Sequence, residues 1–149
     1  MADDEEATQA QLSYELAIYR EQIAMIKRET ERVSLTTIDL GNALRTVENM
    51  KADRVLIPIG GGAMVKGALA ETNVLVPIGA QYLVEMGKDE AEDEFKRRID
   101  ATKKAVEKLN DEFNRIATKL REVSGQLQQM QLESRLSSKV EENIRDDYI

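Results

Sequence analysis

The chain has 149 residues, 33% of them charged and 4% aromatic, with no tryptophan, so it holds little material for a bulky globular interior and an extended architecture is expected. Its net charge of −7 and pI near 4.8 argue against nucleic acid as a partner, because phosphate-backbone binding needs clustered lysine and arginine to release counterions. The absence of histidine and cysteine removes imidazole and thiolate metal sites, disulfides, and Ser-His-Asp or Cys-His catalysis together.

Residues 1–8 read as an acidic N-terminal extension. The opening MADDEEATQAQ is acidic where a secretion signal needs basic residues followed by an apolar core, and no apolar run approaches the ~20 residues that span a membrane. No Asn-x-Ser/Thr sequon occurs. A soluble cytoplasmic protein with no membrane partner is expected.

Residues 9–52 are predicted as a first coiled-coil helix. From Leu12 a four-three spacing runs unbroken through Leu16, Tyr19, Ile23, Ile26, Thr30, Val33, Thr37, Leu40, Leu44 and Val47, and nine of these eleven positions are apolar. A 3.5-residue period keeps one stripe facing a partner helix, and it persists too long for an ordinary surface helix. Lys51 and Arg54 are expected to close this helix, where the macrodipole favours cations. The seam threonines are read as polar residues that fix register.

Residues 53–87 change character: from Val55 to Met86 only Lys66, Glu71 and Glu85 are charged. The phrase VLIPIGGGAMVKG at 55–67 returns as VLVPIGAQYLVEM at 74–86, an offset of 19 residues. Each copy reads as a β-hairpin, with strand-forming residues, a turn after Pro-Ile-Gly, and a returning strand. Gly-Gly-Gly-Ala becomes Gly-Ala-Gln-Tyr, which predicts one turn looser than the other, and Glu71-Thr72-Asn73 joins the hairpins. Pro58 and Pro77 belong at an edge, a strand end or a bulge, because proline cannot donate to a ladder. Two short apolar hairpins cannot bury themselves within one chain, and uncovered strand edges aggregate unless other chains cover them. The hairpins are therefore expected to join subunits in a multi-chain β-barrel, through Val55, Ile57, Ile59, Met64 and Val65 and, in the second copy, Val74, Val76, Ile78, Leu83 and Val84.

Residues 88–133 repeat the heptad rhythm as a second coiled-coil helix, through Phe95, Ile99, Thr102, Val106, Leu109, Phe113, Ile116, Leu120, Val123, Leu127 and Met130. Asp89, Glu90, Glu92, Asp93 and Glu94 crowd its start, as the dipole favours. Each stripe spans 35 residues, roughly 50 Å of helix. The predicted fold is mostly α with a small β part: an antiparallel two-helix coiled coil with two β-hairpins at the connecting end. In the segment 134–149 the seam register falls on Ser134, Ser137 and Glu141, while apolar residues stand at Leu132, Leu136, Val140 and Ile144. Two readings stay open for it, a disordered tail and a hydrophobic contact site at the free end of the arm.

No residue set for chemistry emerges. Gly60-Gly61-Gly62 lacks the Gly-Lys-Ser/Thr and following helix of a phosphate-binding loop. The pairs Asp111-Glu112 and Glu141-Glu142 read as solvated faces, because acid–base catalysis needs a pocket that shifts pKa values. No enzyme activity, cofactor, metal or small-molecule substrate is expected.

Heptad helix, two VLxPIG hairpins and heptad helix together resemble the α-type subunit of prefoldin, especially the archaeal form, over roughly residues 8–135. The resemblance implies an ATP-independent holdase. In it, two α and four β-type subunits join their hairpins into a double β-barrel platform bearing coiled-coil tentacles. The tips capture unfolded proteins and deliver them to a group II chaperonin. It also implies client contact at Leu12, Leu16, Leu127, Met130 and Leu132, and we extend this set to Leu136, Val140 and Ile144. The alternative from the residues alone is a structural scaffold that assembles through its hairpins and binds one defined partner.

Overall fold

The computed structural model describes residues 2–146. In chain order it contains α1 (Ala2–Glu48), β1 (Arg54–Gly60), β2 (Ala63–Ala68), β3 (Val74–Gly79), β4 (Tyr82–Met86) and α2 (Lys88–Asp146). Contacts divide it into two units: Arg32–Val106, and the residues up to 31 together with those from 107 onward.

Helix boundaries follow from local chemistry. α1 starts within the acidic stretch rather than at residue 9, because Asp4, Glu5 and Glu6 are carboxylates in the first turns, where the dipole favours them. It stops at Glu48 rather than 52: the Asn49 side chain and backbone N–H both donate to the Arg45 carbonyl, at 2.7 and 3.3 Å. Arg45, not Lys51 or Arg54, is the cation in the last turn, and Arg54 opens β1 instead. The end of α1 recruits one further cation from across the unit. Lys88 Nζ donates to the Glu48 and Met50 carbonyls at 3.1 and 3.3 Å, which satisfies oxygens that have no partner within the helix. α2 opens with Asp89 and Glu90 and runs past residue 133 to Asp146. No glycine or proline follows Gly125, so nothing in the backbone ends the helix there. Residues 134–146 are thus helical in place of the disordered-tail reading, and 147–149 lie outside the described residues.

The heptad seam is where periodicity placed it. Every one of the eleven seam positions read on each helix is buried or half-buried. In the unit Arg32–Val106 the helices run antiparallel. Thr37 Oγ1 donates to Thr102 Oγ1 at 2.8 Å, and Thr102 donates in turn to the Ile99 carbonyl; two polar seam residues thus satisfy each other and mark one register. In the other unit Leu16, Ile116 and Val123 are buried, and Lys27 Nζ stands 5.8 Å from the Phe113 ring centroid.

Each hairpin is its own two-stranded antiparallel sheet, β1 with β2 and β3 with β4. Ile57 pairs with Val65 and Pro58 with Met64, then the register shifts before Gly60. Val76 with Val84, Pro77 with Leu83, and a shift before Gly79 repeat the arrangement. Each proline therefore sits beside an irregularity, where a missing N–H is tolerated. The turns are more alike than their sequences predict. Gly61 and Gly62 have φ of 59° and 78°, and Ala80 and Gln81 take the same left-handed pair at 47° and 64°. The second turn is therefore strained rather than differently shaped, since a Cβ opposes positive φ.

Candidate functional site

The chemistry this chain offers is exposed apolar surface, and among the described residues most of it lies in two places. The first is the hairpin region. VLIPI and VLVPI are continuous apolar runs, a pattern that suits strands covered on both faces. In hairpin 1 neither face is covered: Leu56, Ile57, Ile59, Met64 and Val65 are all exposed, and only Val55 of the expected interface set is half-buried. In hairpin 2 the outcome splits. Ile78, Leu83 and Val84 are exposed, Val74 is half-buried, and Val76 is 0% exposed.

Val76 is therefore corrected from an interface residue to a core residue. It packs with Val47, Ala91 and Phe95, and Leu40, Ala43, Leu44, Val74 and Met86 surround that cluster. A side chain already enclosed by its own helices has no surface to give another chain. A polar contact reinforces the docking. Arg98 Nη1 donates to the Pro77 carbonyl at 2.8 Å, while its Nε donates to Glu94 Oε1 at 2.6 Å. Glu94 also accepts from Arg97 at 2.6 and 2.9 Å. Hydrogen bonds from Arg97 and then Arg98 hold the Glu94 carboxyl down at about 2, because they favour its charged form.

Sequence reading missed several members of this surface. Leu56, Leu75 and Tyr82 are exposed large side chains, the last at the hairpin 2 turn. The signal was available, since an apolar run with no polar alternation has two faces to cover.

The second surface lies at the ends of the helices, within the other unit. Of the residues expected to meet a client, Leu16 is buried, and Leu12, Leu127 and Met130 are half-buried in the seam. Leu132 and Leu136 are open, at 61% and 56% exposed, and Val140 and Ile144 continue the same open stripe. The structure thus separates the expected set into a closed seam and an exposed ridge. Tyr14 and Met25 of α1 are also exposed there, away from the seam, where heptad reading gave them no role.

Among the described residues no grouping of acidic side chains could hold a metal ion, and no helix is long and apolar enough to cross a membrane. Of the candidate carboxylate pairs, Glu112 is bound by Arg115, whose hydrogen bond lowers its pKa. A carboxyl held ionised in this way is a surface ion pair rather than a general acid.

The family model for prefoldin subunits matches residues 19–133. A prefoldin subunit alpha of Pyrococcus horikoshii is 26% identical over 133 residues, covering 85% of this chain and 90% of that protein. One from Methanococcus aeolicus is 28% identical over 120 residues, covering 79% and 78%. Among solved structures, a filamentous prefoldin from Methanocaldococcus jannaschii is similar with a TM-score of 0.64 at 20% identity, covering 75% of this chain and 97% of that one. The prefoldin beta subunit from Thermococcus strain KS-1 follows at 0.58 and 20%, covering 82% and 90%.

Proposed function

The chain belongs to the prefoldin family, and from that premise we propose that it is an α-class holdase subunit that binds unfolded polypeptides without nucleotide and passes them to a group II chaperonin. Its partners in this reading are β-type subunits in an α2β4 hexamer in the cytoplasm, joined through the hairpins into a β-barrel platform. The observation that carries the reading is apolar surface left open in a family chain: both faces of hairpin 1 for assembly, and Leu132 with Leu136 for clients.

Clients meet the open residues first. Leu12, Leu16, Leu127 and Met130 join when the distal part of the seam opens, since they are otherwise closed into it. Each contact is weak, and several arms acting on one chain raise the apparent affinity through effective concentration while each arm still releases quickly. Met130 adds adaptability, because an unbranched thioether fits varied apolar partners.

The test uses the hexamer assembled with a β-type subunit. Removing the residues before Leu12 and after Gln126 leaves the particle mass unchanged and abolishes suppression of aggregation of a denatured client, followed by light scattering. Undiminished suppression would reject the client site. Replacing Ile59 and Ile78 with Asp yields smaller species with helical circular dichroism largely kept, and a persistent hexamer would reject the barrel.

A further inference from the structure

Net charge is not shared between the two units. Residues up to 31 and from 107 onward carry 17 acidic and 10 basic residues, which is the whole excess of −7, while residues 32–106 carry 11 of each. The asymmetry is sharpest at the start of α1, where no lysine or arginine precedes Arg20 and Asp4, Glu5 and Glu6 are exposed. Within that unit the antiparallel register that sets Lys27 over Phe113 puts residues 4–6 level with residues 134–136 of α2. The acidic triplet thus lies level with the first two members of the open stripe, Leu132 and Leu136, while Val140 and Ile144 run on beyond it.

We infer that this stripe selects its occupant by charge, taking non-native segments in which apolar residues are interspersed with lysine or arginine and rejecting acidic ones. The inference rests on the holdase reading and adds to it the class of client. Apolar contact alone discriminates little among unfolded chains. The stripe has a spacing of four, which advances around the helix and forms a broad ridge rather than the narrow 3.5-period seam a coiled-coil partner requires. A field of one sign around such a ridge raises the local concentration of oppositely charged segments and repels like-charged ones. The field acts within about 10 Å at 0.1 M salt, so groups level with the stripe dominate it. Along the stripe itself Glu133, Glu141 and Glu142 are balanced by Arg135, Lys139 and Arg145, so the triplet on α1 sets the sign.

The experiment measures two labelled peptides with the same leucine spacing, one with lysine and one with glutamate between the leucines, binding to the assembled hexamer by fluorescence anisotropy. The lysine peptide binds about tenfold more tightly at low salt, and the gap closes near 0.5 M, where screening shortens to a few ångströms. The exposed-site variant D4K/E5K/E6K removes most of the gap, and L132S/L136S/V140S/I144S weakens both peptides. Equal affinity of the two peptides for the wild-type complex, with both lost in the serine variant, overturns charge selection and leaves the client site standing. Binding unchanged in the serine variant overturns the stripe itself. A gap that survives D4K/E5K/E6K overturns the role of the triplet. Intact helical signal and particle mass in each variant exclude misfolding as the cause.

Discussion

Hairpin 1 and hairpin 2 are near copies in sequence and in backbone, down to the shifted register after the proline and the left-handed pair in the turn. Their surroundings differ completely. Ile57 is 49% exposed, while Val76 at the matching position is 0% exposed. Hairpin 2 rests on the helices through Val76 and through the Arg98 bond to the Pro77 carbonyl. No residue of hairpin 1 is buried, and a backbone bond from Leu69 N–H to the Asp53 carbonyl at 3.0 Å closes its base. One motif thus serves as an anchor in one copy and as a free surface in the other. Duplication lets a chain add an exposed pair of strands while the other copy keeps its attachment to the core.

That division predicts a graded set of responses. Phe95→Ala, which empties the floor beneath hairpin 2, costs about 3 kcal/mol in chemical unfolding. Val76→Ala costs about 2 kcal/mol by the same measurement, whereas Ile57→Ala costs less than about 0.5 kcal/mol in the unassembled chain and acts only on oligomer formation. Equal losses at 57 and 76 would erase the distinction. Arg98→Ala removes a charge-assisted bond to hairpin 2 and lowers stability by about 1 kcal/mol, with no counterpart in hairpin 1. Turn exchange has opposite signs in the two copies: A80G/Q81G relieves positive φ and stabilises by about 1 kcal/mol, while G61A/G62A introduces that strain and destabilises by a similar amount.

The smallest effect is that of pH. Glu94 has its carboxyl held at about 2 against an ordinary value of 4.5. A group depressed on folding contributes stability that is complete above its unfolded value and declines as pH falls from about 4.5 towards 2. A melting-temperature profile of wild type should therefore fall more steeply over that window than the profile of Glu94→Gln.

Much of this was readable from residue spacing. A strict four-three alternation allows only one stripe to face a partner, so each seam position was fixed before any geometry was known. The 19-residue offset likewise carried the second hairpin into the register of the first. Which hairpin would be anchored was not visible in the repeated phrase, because Ile57 and Val76 are equally apolar. The distinguishing residues lie at the strand ends. Gly67 pairs with Val55, while Met86 pairs with Val74, and only the methionine brings a side chain to the core cluster. At Gly67 a Cβ would come within 2.9 Å of Ile57 Cδ1, so Ile57 leans diagonally across the hairpin over the partner of Val55 instead of reaching a helix. The ends of the helices were hidden for another reason. Asn49 and Lys88 cap α1 through carbonyls that no periodicity reports, and the far end of α2 has no breaker, so its extent depends on propensity alone.

The Lys88 clasp has a consequence in polymer terms. By tying the ammonium of Lys88 to the Glu48 and Met50 carbonyls, the chain makes the whole β segment an excursion that leaves and returns at one place. The length of such an excursion is weakly constrained, because doubling or halving a loop changes its closure cost by only about 0.6 kcal/mol. A 19-residue repeat can then be inserted or excised as a unit without moving either helix end, provided that the copy carrying Val76 is the one retained.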